Sequence, residues 1–203
     1  MVGAHAIFLD AGRDRYFSIG GATALGVQAL LERRSVDKGA LDRLGKAGLV
    51  EAGEPEAPWP RLPIPPARSF MEEGEVQPIL RIGPMIEVMT GLVQAGRAVR
   101  RRPFAEILEG LAARKTNLSG SPDRLLPLAM GFLATRRFVP IRPCCLPDSL
   151  ALLNILARRR QTADLVFGVK LNPFSAHCWV QAGDIVLNDA IDHVTIHTPI
   201  LVV

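Results

Sequence analysis

Arg142-Pro143-Cys144-Cys145-Leu146-Pro147-Asp148-Ser149 runs into Leu150-Ala151-Leu152-Leu153-Asn154-Ile155-Leu156-Ala157-Arg158; further on, Ala176-His177-Cys178-Trp179-Val180-Gln181 faces Ile185-Val186-Leu187-Asn188-Asp189 across Ala182-Gly183-Asp184. The first stretch reads as a loop entering a helix. Pro147 is tolerated there because first-turn N–H groups have no intrahelical acceptor. Leu146, Leu150, Leu153 and Ala157 recur at helical spacing and are expected to face the core. The second stretch reads as a hairpin with a three-residue loop containing Gly183. Leu165 to Lys170, an apolar run of strand-forming residues, supplies a buried strand before it. A helix followed by antiparallel strands makes the C-terminal part α+β.

The same residues carry chemistry. Cys145 falls in the first helical turn, where the helix dipole and free amides favour a thiolate, the nucleophilic form. A neighbouring His lowers the thiol pKa further. A hairpin symmetric about Gly183 sets His177 opposite Asp189, and Trp179 opposite Leu187, on one face. An Asp beside a His fixes the imidazole tautomer and stabilises its cation. Taken singly, each residue has an ordinary structural use: a buried small hydrophobe for the Cys, a strand position for the His, a turn for the Asp. Together they make a Cys-His-Asp constellation. Asp148 adds a negative charge near the thiol, which acts to raise its pKa.

Outward from this block the chain is helical, with patterns over Val76 to Arg101, Phe104 to Lys115 and Pro122 to Arg137. Before them, six prolines fall between Pro55 and Pro66. Such a segment is extended and stiff, and it marks the domain boundary. Upstream, Ala6 to Leu9 and Tyr16 to Ile19 read as a hairpin, and Ala22 to Arg33 as a helix. A second helix runs from Val36 to Lys46 behind a Ser35 cap, with Gly48 as its stop. The organisation is therefore a small unit over residues 1–54, a linker over 55–66 and a larger domain over 67–203.

Composition excludes several classes. Hydrophobic residues make up 48% of 203 residues, enough for a packed core. The net charge is only +4, and the Arg runs at Arg100 to Arg102 and Arg158 to Arg160 sit at helix ends. The first unit has no dense basic stripe, so no nucleic acid partner is expected. The apolar stretch from Ile79 to Val99 is broken by Arg81, Glu87 and Arg97, so no membrane span is expected. Three cysteines, two of them adjacent, form no disulfide framework. No CxxC pair occurs, so no metal site is expected. With no signal-like start, these features place the protein in the cytoplasm.

Cys145-Leu146-x-x-Ser149, Gly168-Val169, Pro173-Phe174-x-Ala176-His177-x-Trp179-Val180 and Leu187-Asn188-Asp189 resemble the lasso peptide biosynthesis B protein, the maturation protease of those pathways. Its C-terminal half is similar to transglutaminases and papain-like cysteine proteases. The family pattern usually has Ala where this chain has Cys178, and Arg where it has Asp148. Phe8-Leu9-Asp10, Arg15-Tyr16-Phe17 and Leu41-x-x-Leu44-x-x-x-Gly48-Leu49 resemble the precursor-recognition domain of modified-peptide pathways, a winged-helix-like unit of three strands and three helices. The resemblance implies a cysteine peptidase with Cys145, His177 and Asp189 as its catalytic residues. It would free a core peptide from its leader and need no cofactor, any ATP requirement entering through a separate ATP-dependent lasso cyclase. The leader would add as a strand beside Arg15, Tyr16 and Phe17, near Leu41 and Leu44 of the second helix.

Two other readings use the same residues. A transglutaminase-like acyltransferase would pass the same thioester to an amine instead of water. A non-catalytic adaptor would only present a precursor peptide to its partners.

Overall fold

The computed structural model describes residues 2–32, 34–51, 53, 63–73, 82–116, 118 and 121–203. Expectations falling on Pro55 to Pro60 and on Val76 to Arg81 lie outside them.

The first unit builds on alternation. β1 (Ala6–Asp10) and β2 (Arg15–Ile19) pair antiparallel, with Phe8 opposite Phe17 and Leu9 opposite Tyr16. α1 (Gly21–Leu31) and α2 (Lys38–Lys46) follow. Asp37, rather than Ser35, caps α2: its carboxylate accepts the Ala40 N–H at 2.9 Å, so the helix starts two residues later than Val36. The Gly48 and Leu49 amides close its far end on the Gly45 and Leu44 carbonyls. Ala6, Ala24, Val27 and Leu44 form a small core of their own. Of the three strands and three helices the resemblance implies, the described residues show two of each, plus an isolated bridge between Val2 and His5.

The larger domain is a sheet with the long helices on one face and a short C-terminal one on the other. β3 (Arg68–Ser69) and α3 (Phe70–Glu73) lead into α4 (Ile82–Arg101), α5 (Phe104–Lys115), α6 (Pro122–Arg136) and α7 (Cys145–Arg158). β4 (Asp164–Lys170), β5 (Ser175–Ala182), β6 (Ile185–Val186), α8 (Ile191–Thr195) and β7 (Thr198–Val202) complete the chain. The five strands order as β3-β6-β5-β4-β7. α7 lies at the centre, between α4 and β5. Its burial goes beyond the expected stripe: Leu152 and Leu156 are fully buried along with Leu150 and Leu153, because helices cover one side and the sheet the other. On the far face Val166, Trp179, Val186 and Val194 make a second layer.

The proline-rich stretch is not a free spacer at its C-terminal end. The Ile64 carbonyl accepts from buried Gln181 Nε2 at 2.6 Å, and the Ala67 N–H donates to the Asp184 carbonyl at 2.9 Å. Residues 63–67 therefore lead straight into β3 at the sheet edge.

The hairpin differs from expectation by one residue. Ala182 pairs with Ile185, so Gly183-Asp184 is a two-residue turn, with Gly183 at φ +61°. Glycine meets that left-handed requirement without strain. A one-residue slip exchanges the faces. Leu187 therefore bonds Val180 and joins the core under α7, while Trp179 points the other way.

Gly168 pairs with His177 across β4 and β5. A Cβ there would lie 2.9 Å from the Trp179 ring and from His197 Cβ. Trp179 is fully buried and has no room to retreat. Gly168→Ala is expected to lower stability by about 1–3 kcal/mol through overpacking, read as a lower urea midpoint with an unchanged slope.

Candidate active site

Cys144 takes extended backbone as the N-cap of α7, which sets Cys145 at the first helical position. The segment before it is held by one side chain. Arg136 grips both carboxylate oxygens of Asp148, at 2.8 and 3.3 Å, and donates to the Val139 and Ile141 carbonyls. Asp148 also accepts the Cys144 N–H at 3.1 Å. The negative charge expected to oppose a thiolate is thus paired with Arg136 in a bidentate ion pair.

Cys145 is held far below the ordinary thiol range, at about 4. The largest cause is a hydrogen bond from the Cys178 thiol; burial opposes it, and His177 adds to it by hydrogen bond and charge. Cys178 is itself pushed up by its bond to Cys145 and by burial, so it stays protonated and donates. The residue that departs from the usual family Ala is therefore a thiol donor to the thiolate. His177 is held up at about 9: burial pulls it down, and its bonds to Asp189 and Cys145 outweigh that. The two shifts, Cys145 down and His177 up, both favour a thiolate beside an imidazolium.

Asp189 reaches His177 although the register does not place them opposite each other. Asn188 explains this. Its side chain takes the Val180 N–H at 2.7 Å and donates to buried Ser149 Oγ at 3.0 Å. That ends the β5–β6 ladder and ties the residue before Asp189 to both β5 and α7. Ser69 Oγ then fastens the Asp189 carbonyl at 2.5 Å. Asp189 Oδ2 bonds His177 Nε2, which leaves Nδ1 for the thiol. Oδ1 accepts the Ala190 N–H at 2.8 Å and bonds His193 Nδ1 at 3.0 Å. Burial pushes the Asp189 carboxyl up, but these bonds prevail and its pKa falls.

His193 and His197 were not legible as site residues. Their rings lie 4.6 and 5.2 Å from that of His177. His197 is held between the His193 carbonyl at 2.8 Å and Ser175 Oγ at 2.9 Å. His177, Asp189 and His193 offer donor atoms within 4.8 Å of one another, of types that suit a zinc-sized ion. An ion there would have to displace the His177–Asp189 bond.

The structure thus brings Cys145, His177 and Asp189 together. The N-terminal candidates point different ways. Arg15 is exposed and Leu41 keeps 41% of its surface, whereas Leu44 is fully buried against Gly26 as part of the small core. Phe17 stacks on Phe8, and Tyr16 turns toward Phe174. Among the described residues no helix is long and apolar enough to cross a membrane.

Cys178→Ala tests the thiol donor. The fraction of Cys145 that iodoacetamide alkylates is expected to titrate with a midpoint near 4 in the native chain. In the variant the midpoint moves up. An unmoved midpoint would assign the depression to His177 and the helix alone.

Comparison with known proteins agrees with this architecture. A 46-residue stretch is 50% identical to the Microcin J25-processing protein McjB of Escherichia coli, covering 23% of this chain and 22% of that protein. No solved structure matches. The family model of the transglutaminase-like superfamily matches residues 89–202, which hold α7, the strands β4 to β7 and all three of Cys145, His177 and Asp189, and the chain belongs to that superfamily.

Proposed function

We propose that this protein is a cysteine peptidase that removes the leader from a ribosomally made lasso peptide precursor. One observation carries the reading: a half-buried thiol at a helix N-terminus, beside a His whose Nε2 is held by a carboxylate. The resemblance to the lasso B protein and the partial match to a microcin-processing protein support the substrate class.

The roles follow from the geometry. Cys145 Sγ attacks the scissile carbonyl, and the Cys145 amide at the start of α7 serves as a donor to the oxyanion. His177, already protonated, gives its proton to the leaving amine of the core as the C–N bond breaks. The leader remains as a thioester on Cys145. His177 then takes a proton from water, the hydroxide attacks, and the leader leaves as a carboxylic acid. Asp189 holds the His177 ring and stabilises its cation. The freed core amine is the group a separate ATP-dependent cyclase consumes, and no cofactor enters the cut itself. The N-terminal unit takes the leader along β2, with Arg15 and Leu41 as the contacts that remain open to it, and holds the cut site at high effective concentration.

Superfamily membership favours one further reading, transfer of the same acyl group to an amine. Mass spectrometry of precursor incubated with the protein, with and without an added primary amine, separates the two. Free leader acid supports the peptidase, and amine-capped leader supports the transferase.

A further inference from the structure

The N-terminal hairpin has two faces with different partners. Phe8 and Phe17 stack at 5.2 Å on the side of α1 and α2, and Ala6 is buried there. The opposite face carries the cross-strand pair Leu9 and Tyr16. Leu9, with Ala11 from the following turn, packs against the core cluster that contains Cys178 and is flanked by Cys145. β1 packs beside β7 at the sheet edge. Tyr16 meets Phe174 edge-on at 5.7 Å. Phe174 lies in the turn between β4 and β5, just before Ser175, Ala176 and His177. It keeps 53% of its surface open, so a substrate chain can lie on that open part of the ring.

We propose that this hairpin face is one wall of the substrate cleft, with Tyr16 latched on Phe174 beside Cys145 and an extended peptide passing between it and the start of α7. The proposal rests on the peptidase reading for its substrate and deepens it. Tyr16 thereby becomes a positioning residue for the cut rather than a leader contact. Electrostatics agree: burial above all, with negative charge at Cys145 and Asp14 adding to it, pushes the Tyr16 hydroxyl up to about 12, so it stays a neutral donor. The unit that holds the leader also closes the site that cuts it, and recognition and cleavage share one continuous surface.

Full-length Tyr16→Ala, Tyr16→Phe and Phe174→Ala test this with three readouts: kcat/KM on a leader-bearing precursor, leader affinity by anisotropy, and alkylation of Cys145 by a bulky maleimide. Losing the ring contact in Tyr16→Ala or Phe174→Ala is expected to speed alkylation and lower kcat/KM, each by about two- to tenfold, the range of one aromatic pair. Leader affinity stays at the native value. Tyr16→Phe keeps the ring and returns alkylation to the native rate. Phe174→Ala, at a half-exposed site, carries the test should Tyr16→Ala fail to fold. Native alkylation in both alanine variants would overturn the wall. Lost leader affinity with native alkylation would also overturn it and make Tyr16 a leader contact. Alkylation needs no cutting, so a chain that cuts no precursor would sink the peptidase reading while leaving the wall testable.

Discussion

Cys145→Ala leaves the precursor uncut, with a rate loss of about four orders of magnitude or more, while Cys144→Ala keeps most of the native activity. Losses of that size attend removal of the nucleophile from a catalytic triad. The two adjacent cysteines differ in placement, not in chemistry. Cys144 is exposed in the extended N-cap, and its N–H is tied to Asp148. Cys145 is half-buried and packs against the core, and the neighbouring Cys178 and His177 pull its pKa down. Mass spectrometry of precursor incubated with each variant decides between them. An active Cys145→Ala would remove the catalytic assignment.

Asp189→Asn is expected to slow cleavage by about one to two orders of magnitude and to leave leader affinity unchanged. The amide keeps the shape of the carboxylate and can still meet His177, but it no longer neutralises an imidazolium. His177 then loses the interactions that hold it near 9 against burial, and its pKa falls. With a weaker cation beside it, Cys145 loses part of its thiolate stabilisation, and the high-pH limb of the rate profile moves to lower pH. The shift in that limb separates an electrostatic role from a structural one. Reduced affinity with an unmoved limb would place Asp189 in substrate binding or folding instead.

Local chemistry made much of this site legible. A Pro near a helix start, a Gly in a hairpin turn and apolar periodicity are short-range signals, and they set α7, β4 and β5 close to their expected bounds. A hairpin symmetric about Gly183 sets His177 opposite Asp189, with Cys145 brought in separately by the start of α7. The residues do converge, but by a different route. The turn takes two residues, and Asn188 rather than strand pairing carries Asp189 to His177. A one-residue register is set by turn geometry and side-chain capture, which periodicity does not encode. His193 has no local sequence signal, because its bond to Asp189 depends on α8 folding back over β5. Cys178 looked like a neutral replacement for Ala, yet its thiol faces the nucleophile because alternation along β5 turns it toward α7. Leu44 carries the family pattern as a core residue, since the same spacing serves burial and binding alike. The Tyr16 contact with Phe174 joins residues far apart in sequence, and no local pattern announces it.

The most direct measurement of the central claim is a leader peptide ending in a thiol-reactive group at the cut position, incubated with the full chain and located by peptide mapping. The account predicts one leader-mass adduct on Cys145, suppressed by excess free leader and absent in Cys145→Ala. An adduct on Cys144 or Cys178, or labelling that free leader does not suppress, would contradict it.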